Sequence, residues 1–354
     1  MATMTRSNPA DVTSQQYTAL LNKAILDPLH FNLVIARLKG VIQEGDIPQH
    51  SGTLTMRMFK RLKANTVNVT NLTDGDPTLG TPTEVTSGKV DISLTHIAET
   101  AKQSWLQNKS DLLNWWKQII GHLGENAAKK YDEVVQAALL TGTANSGRSE
   151  VFSGVNRTAS STSDWNSLAG VSNSVGKATL QDFNKLATWL NYQDVPMIAG
   201  QYVAAIQPPV QHDLWQDSFF RDAMTHGGLK DMISDRTIAN TAGIKFVGHT
   251  GGVIETGAYG TWDTSVTEAE AEDAIFTSWL LGARCVGAPK LGGTNNPAKP
   301  SFIVLNDPDK ADPAGQYKQI TWTALYGSKA MKTDLSGDVL YYGHIRSKST
   351  FLKP

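Results

Sequence analysis

A single cysteine, Cys285, occurs in a chain of 354 residues. One thiol excludes an intramolecular disulfide framework and a cysteine-based zinc site. Charge is also sparse. Asp, Glu, Lys and Arg make up 18% of the residues and the formal net charge is −1. With no run of Lys or Arg either, a dedicated nucleic-acid-binding surface is not expected. No apolar stretch reaches the roughly 20 residues that cross a membrane, and the first residues lack the apolar core of a secretory leader, so no membrane partner is expected. The eight histidines form no His-x-x-x-His pair, which leaves no metal site to assign. Internal repeats are missing as well, which argues against a fibre or a carbohydrate-binding module.

Signs of catalysis are equally thin. Cys285 lies in an apolar stretch, Leu280 to Gly287, where a lone cysteine reads as a small buried residue; a hydrolase using it with one of the histidines is the rival enzyme reading. Gly248 to Gly252 lacks the Lys-Ser/Thr and the following helix of a phosphate-binding loop, and reads as a turn. Asp307, Asp309 and Asp312 stand among prolines without the Gly and terminal Glu of a calcium loop. Glu268, Glu270 and Glu272 alternate with alanine as a solvated face would. No catalytic, cofactor-binding or metal-binding residue is assigned, and no cofactor is expected.

What the chain does have is one long amphipathic stretch, Ser110 to Gly142. Ser110 and Asp111 suit its start, and Leu112, Trp116, Ile119, Ile120, Leu123, Ala127, Tyr131, Val134 and Ala138 recur at helical spacing until Gly142. A helix over 110–142 is roughly 45 Å long, enough to touch more than one layer of structure. Gly121 and Gly124 within it suggest a bend or a close backbone approach. Before it, residues 1–28 are polar and weakly patterned and read as an arm, while Phe31 to Leu38 is apolar enough to pack. Leu54, Met56 and Met58 then alternate with Thr55 and Arg57, and Val90, Ile92, Leu94 and His96 with Asp91, Ser93 and Thr95. Two strands follow from this, joined through a tip at Asp74, Gly75 and Asp76. A two-stranded excursion with so little apolar content does not fold alone and is expected to lie across another chain.

After a Ser/Thr/Asn-rich surface segment, 143–176, Thr179 caps a helix carrying Leu180, Phe183, Leu186, Ala187 and Leu190, with Asp182 three residues after the cap. A strand over 201–206 and a helix from Pro208, carrying Val210, Leu214, Phe219 and Met224, come next. Strands dominate from Ile244: 244–247, 274–279, 302–305, 317–325 and 339–345. The mixture has no βαβ repeat, so the fold class is α+β. Charge is uneven along it. Residues 1–65 hold eight Lys/Arg against four Asp/Glu, residues 329–354 five against two, and the middle is acidic. Basic ends docking on acidic bodies of neighbouring copies is the assembly hypothesis this suggests.

The succession of arm, long hairpin, one very long helix and mixed domain resembles the major capsid proteins of tailed bacteriophages, the Hong Kong 97 fold. Gln201 to Pro208, Gly243 to Val247 and above all Asp312 to Trp322 are similar to segments of the phage N-four group of podoviruses. The resemblance implies an N-terminal arm at 1–50, an extended β-hairpin loop at 51–100, a peripheral domain at 101–178 with its spine helix, an axial domain at 179–330, and a C-terminal strand at 331–354 that returns to the peripheral domain. It implies no enzyme but a shell protein, forming hexamers and pentamers of an icosahedral head around double-stranded DNA, bound without sequence specificity. A separate scaffolding protein, a portal and a decoration protein are the further partners implied, with synthesis in the host bacterial cytoplasm and residence in the virion. An encapsulin-type nanocompartment shell stays open beside it. Arg57, Lys60 and Arg61 on the excursion, and its tip Asp74, Gly75 and Asp76, are the candidate inter-subunit contacts.

Overall fold

The computed structural model describes residues 35–38, 40–47, 52–59, 87–104, 115–143, 150–152, 176–227, 237–241, 243–252, 254–255, 275–291, 296–305, 317–331 and 341–348. After a 3-10 turn, Ile35–Arg37, come β1 (Ile42–Gly45), β2 (Thr53–Phe59), β3 (Ser87–Ser93), β4 (Thr95–Ser104), α1 (Trp115–Thr143) and β5 (Glu150–Phe152). Next are α2 (Leu180–Tyr192), β6 (Tyr202–Ile206), α3 (Pro208–Gln216), α4 (Ser218–Gly227), β7 (Thr237–Thr241), β8 (Ile244–Gly248) and β9 (Ile254–Glu255). The chain finishes with β10 (Ile275–Leu281), β11 (Val286–Pro289), β12 (Ser301–Leu305), β13 (Tyr317–Tyr326), β14 (Lys329–Ala330) and β15 (Tyr342–Lys348).

The large sheet runs β5-β15-β10-β6-β8-β7, with β9 pairing β10. Its central strands β6 and β10 are buried at every residue, because both faces are covered. On one face Val203, Ala205, Trp279, Leu281 and Tyr342 join α1 through Leu139. On the other, Tyr202, Ala204, Ile206, Leu280 and Ile345 meet Phe183, Leu186 and Leu190 of α2. The mixed α+β class is therefore what forms. In α2 the Asp182 carboxylate accepts both the amide (3.2 Å) and the hydroxyl (2.8 Å) of Thr179, closing its first turn as the spacing predicted.

Helix α1 is 29 residues long, or ~43 Å. Its buried stripe is Leu123, Ala127, Ala128, Tyr131, Val135 and Leu139. Val134 and Ala138, expected on that stripe, are only half-buried. Gly142 does not stop the helix, which continues to Thr143. A Cβ at Gly121 would meet open space, so no backbone approaches there among the described residues. Beneath α1 lies the antiparallel sheet β12-β13-β4, in ten-residue register between β4 and β13. Ile320, Trp322 and Tyr326 fill the space between sheet and helix. Tyr131 stands edge-on to Tyr326 at 4.5 Å and donates its hydroxyl to the Ala298 carbonyl at 2.7 Å.

Several sequence boundaries move. Residues 35–38 and 40–47, assigned to the arm, pack with the body: Ile35, Ala36 and Val41 are buried, and β1 pairs in parallel with β11. β3 and β4 are separate strands that part at Leu94, because β3 pairs with β2 whereas β4, from Thr95 on, pairs with β13. The helix expected from Pro208 through Met224 is two helices, broken at Asp217, whose carboxylate takes the amides of Leu180 and Phe219. Phe219 is consequently 60% exposed and Phe220 is buried in its place. Pairing of β13 with β4 crosses the division at 178/179. The C-terminal strand β15 lies in the middle of the large sheet between β5 and β10, and the Tyr342 hydroxyl ties it to α1 at the Leu139 carbonyl.

Candidate assembly surfaces

The excursion is built on β2 and β3, paired antiparallel from Thr53↔Ser93 to Phe59↔Ser87. Its alternation gives it two faces. Leu54, Met56 and Ile92 point inward and are buried with Met331. The inner face of this root therefore packs on its own chain. Two glycines permit the close seat. A Cβ at Gly287 would lie 2.9 Å from Ile92 Cδ1 and from Met56 Sδ. One at Gly327 would overlap the Ser93 backbone oxygen.

The outer face is polar and exposed. Arg57 is exposed directly opposite Lys89, a like-charged cross-strand pair that is unfavourable on its own. Asp91 sits beside them. It accepts from the Thr55 hydroxyl at 2.6 Å, lies 3.5 Å from Lys89 Nζ, and its carbonyl accepts from Lys329 Nζ at 3.1 Å. The Thr55 hydrogen bond, then the charge of Lys89, hold its carboxyl below the usual range. Three cations around one acid leave this face net positive. Lys60, Arg61, Asp74, Gly75 and Asp76 lie outside the described residues, as do residues 1–34, Ser110, Asp111, Glu268, Glu270, Glu272 and the 307–312 turn. Of the six candidate contact residues, Arg57 alone is placed.

Sequence reasoning missed a second surface. Trp215 and Phe219, 49% and 60% exposed, flank the break between α3 and α4. The helical pattern put Phe219 inward; only an Asp at the break, capping amides outside the helix, signals otherwise.

Cys285 is fully buried, immediately before β11, and burial pushes its thiol pKa up. A thiol held protonated and out of solvent is no nucleophile. The Gly248–Gly252 turn presents no phosphate cradle either: His249 is buried against Asp132 and Gln136 of α1.

No protein-family model matches the sequence, and no curated protein does. Solved structures do. The capsid of Ralstonia phage GP4 superposes with a TM-score of 0.55 at 14% identity, covering 89% of this chain and 87% of that one. The capsid of Helicobacter pylori bacteriophage KHP30 gives 0.59 at 11% identity, covering 89% of each chain. The cyanophage Pam1 capsid gives 0.53 at 14% identity, over 84% of this chain and 86% of that one. The chain has the phage capsid fold of the Hong Kong 97 type. Within this chain α1 is the longest described helix, and β2 and β3 form an antiparallel pair. Identities this low establish the fold and leave the residue-level contacts to be argued from the chain itself.

Proposed function

We propose that this chain is the major capsid protein of a tailed bacteriophage, related to the phage N-four group. Copies associate head to tail into hexamers and pentamers, and these close into an icosahedral head enclosing double-stranded DNA. The observation that carries this reading is the capsid fold along nearly the whole chain, the hairpin root included. Residues 101–178 serve as the peripheral domain and 179–330 as the axial domain, with sheet pairings that join them.

The cationic outer face of the hairpin root, Arg57 with Lys89 and Lys329, docks on acidic surface of a neighbouring copy, and Lys60 and Arg61 extend it. Trp215 and Phe219 supply apolar contact area that an isolated subunit leaves in water. A scaffolding protein, a portal and a decoration protein complete the set of partners, assembled in the host cytoplasm. Light scattering and electron microscopy of the purified chain test the proposal: closed shells, or rings of five and six, are expected. Native particles containing DNA separate a phage head from a nanocompartment, whose shell would hold protein cargo.

A further inference from the structure

The buried stripe of α1 is interrupted by two polar residues one turn apart, Asp132 and Gln136. A helix that only packs would carry apolar side chains there. Both converge on His249, itself buried at the end of β8. The Ala36 amide donates to Asp132 Oδ1 at 2.8 Å. Gln136 Nε2 donates to the Gly251 carbonyl at 2.9 Å and lies 3.1 Å from His249 Nε2, which stands 3.8 Å from Asp132 Oδ2. Gln136 Oε1 is buried with no hydrogen-bond partner among the described residues.

These distances define the protonation pattern. A carbonyl oxygen only accepts, so the Gln136 atom facing Gly251 is its NH2 group. That same NH2 faces His249 Nε2; if this contact is a hydrogen bond, Nε2 presents a lone pair and the ring carries its proton on Nδ1. Protonation would place an N–H on Nε2 as well. Two donors would then confront each other. Rotating the Gln136 amide resolves the conflict: its partnerless Oε1 turns to accept from Nε2–H, and its NH2 withdraws from Gly251. Asp132 is the carboxylate beside the new cation. No other charged residue lies in the Gly248–Gly252 turn; the 3-10 turn Ile35–Arg37 contributes the Ala36 amide, β13 brings Tyr326, whose buried phenol is held protonated, and the side chain against Gly252 is the neutral Gln207.

We propose that His249 and Gln136 form a pH-sensitive latch between α1 and the turn that follows β8. With His249 neutral, Gln136 clips Gly251 to the helix. With His249 protonated, Gln136 binds the ring and the turn is released. Imidazole titrates in the range where modest acidification acts. The latch belongs to the subunit, so it is measurable on the unassembled chain and stands or falls apart from shell formation.

Two readouts test it on the full-length protein: long-range 1H–15N correlation of the His249 ring, and amide exchange of residues 249–252 from pH 7.5 to 5, corrected for intrinsic exchange. The Nδ1–H tautomer is expected at pH 7.5, with turn exchange rising at least about fivefold as the ring takes up its proton. His249→Gln and Gln136→Met should each abolish the rise. An Nε2–H tautomer at pH 7.5, a turn whose exchange ignores pH, or a rise that survives in a folded variant overturns the proposal. The wild-type tautomer decides even where a variant does not fold.

Discussion

Gly327→Ala should be among the most damaging one-methyl substitutions in this protein. The new Cβ would overlap Ser93 O and lie 3.1 Å from Ser93 C and 3.3 Å from Leu94 Cα. All three obstacles are backbone, at the point where β3 ends and β4 begins, and β4 is fixed by its ten-residue ladder to β13. The chain cannot yield there without breaking that register or lifting the hairpin root. Overpacking costs about 1–3 kcal/mol and more where backbone must move, so about 3 kcal/mol is expected. Gly287→Ala is the control. Its Cβ would meet Ile92 Cδ1, Met56 Sδ and Met331 Sδ at 2.9 to 3.1 Å, all mobile side-chain ends, and about 1 kcal/mol is expected. Urea denaturation followed by tryptophan fluorescence reads both, with ΔΔG taken from the midpoint at constant slope. Since the hairpin leaves the body at this contact, Gly327→Ala should also lower particle yield at temperatures where the subunit stays folded. A Gly327→Ala variant within 0.5 kcal/mol of the parent, or one less damaging than Gly287→Ala, would refute the seating of the hairpin root.

Tyr131→Phe keeps the ring edge-on to Tyr326 but strands the Ala298 carbonyl, and should cost about 1–2 kcal/mol by the same denaturation assay. Asp91→Asn probes pH dependence. Because the folded-state pKa of Asp91 is lowered, its charge stabilises the hairpin root above the unfolded value near 4 and that contribution disappears as pH falls through the folded value. Parent and variant should therefore differ in thermal midpoint at pH 7 and converge toward pH 3; a difference that grows on acidification would contradict the assignment. Arg57→Glu with Arg61→Glu should reduce particle yield, scored by sedimentation, more than it reduces subunit solubility. Normal yield from that double variant would remove the hairpin from the docking surface.

Much of the fold was legible because it is written in periodicity. The 3.6-residue spacing of α1, the period-2 alternation of β2 and β3, and the Thr179 to Asp182 box each depend on neighbours within a few residues. What stayed hidden depends on distant partners. The short parallel strand Ile42–Gly45 has no alternation of its own and exists because Val286–Pro289 lies beside it. Phe219 and Phe220 are adjacent aromatics, and which one is buried follows from the phase shift where Asp217 breaks the helix. Buried polarity was invisible too: Asp132, Gln136 and His249 look like ordinary surface residues until the fold brings positions more than 110 apart within 3.1 Å. On the candidate surface, Arg57 was found because a polar residue alternating with buried Met56 must face outward, whereas the Trp215 patch required knowing where a helix ends.

The central claim is that this chain builds a closed shell. Producing it together with its neighbouring genes, which would include a scaffolding protein, and weighing and imaging the purified material by light scattering and electron microscopy tests that claim directly. Closed icosahedral particles made mostly of this chain are the predicted result. A monomer at every concentration and salt, with and without those genes, would contradict the account.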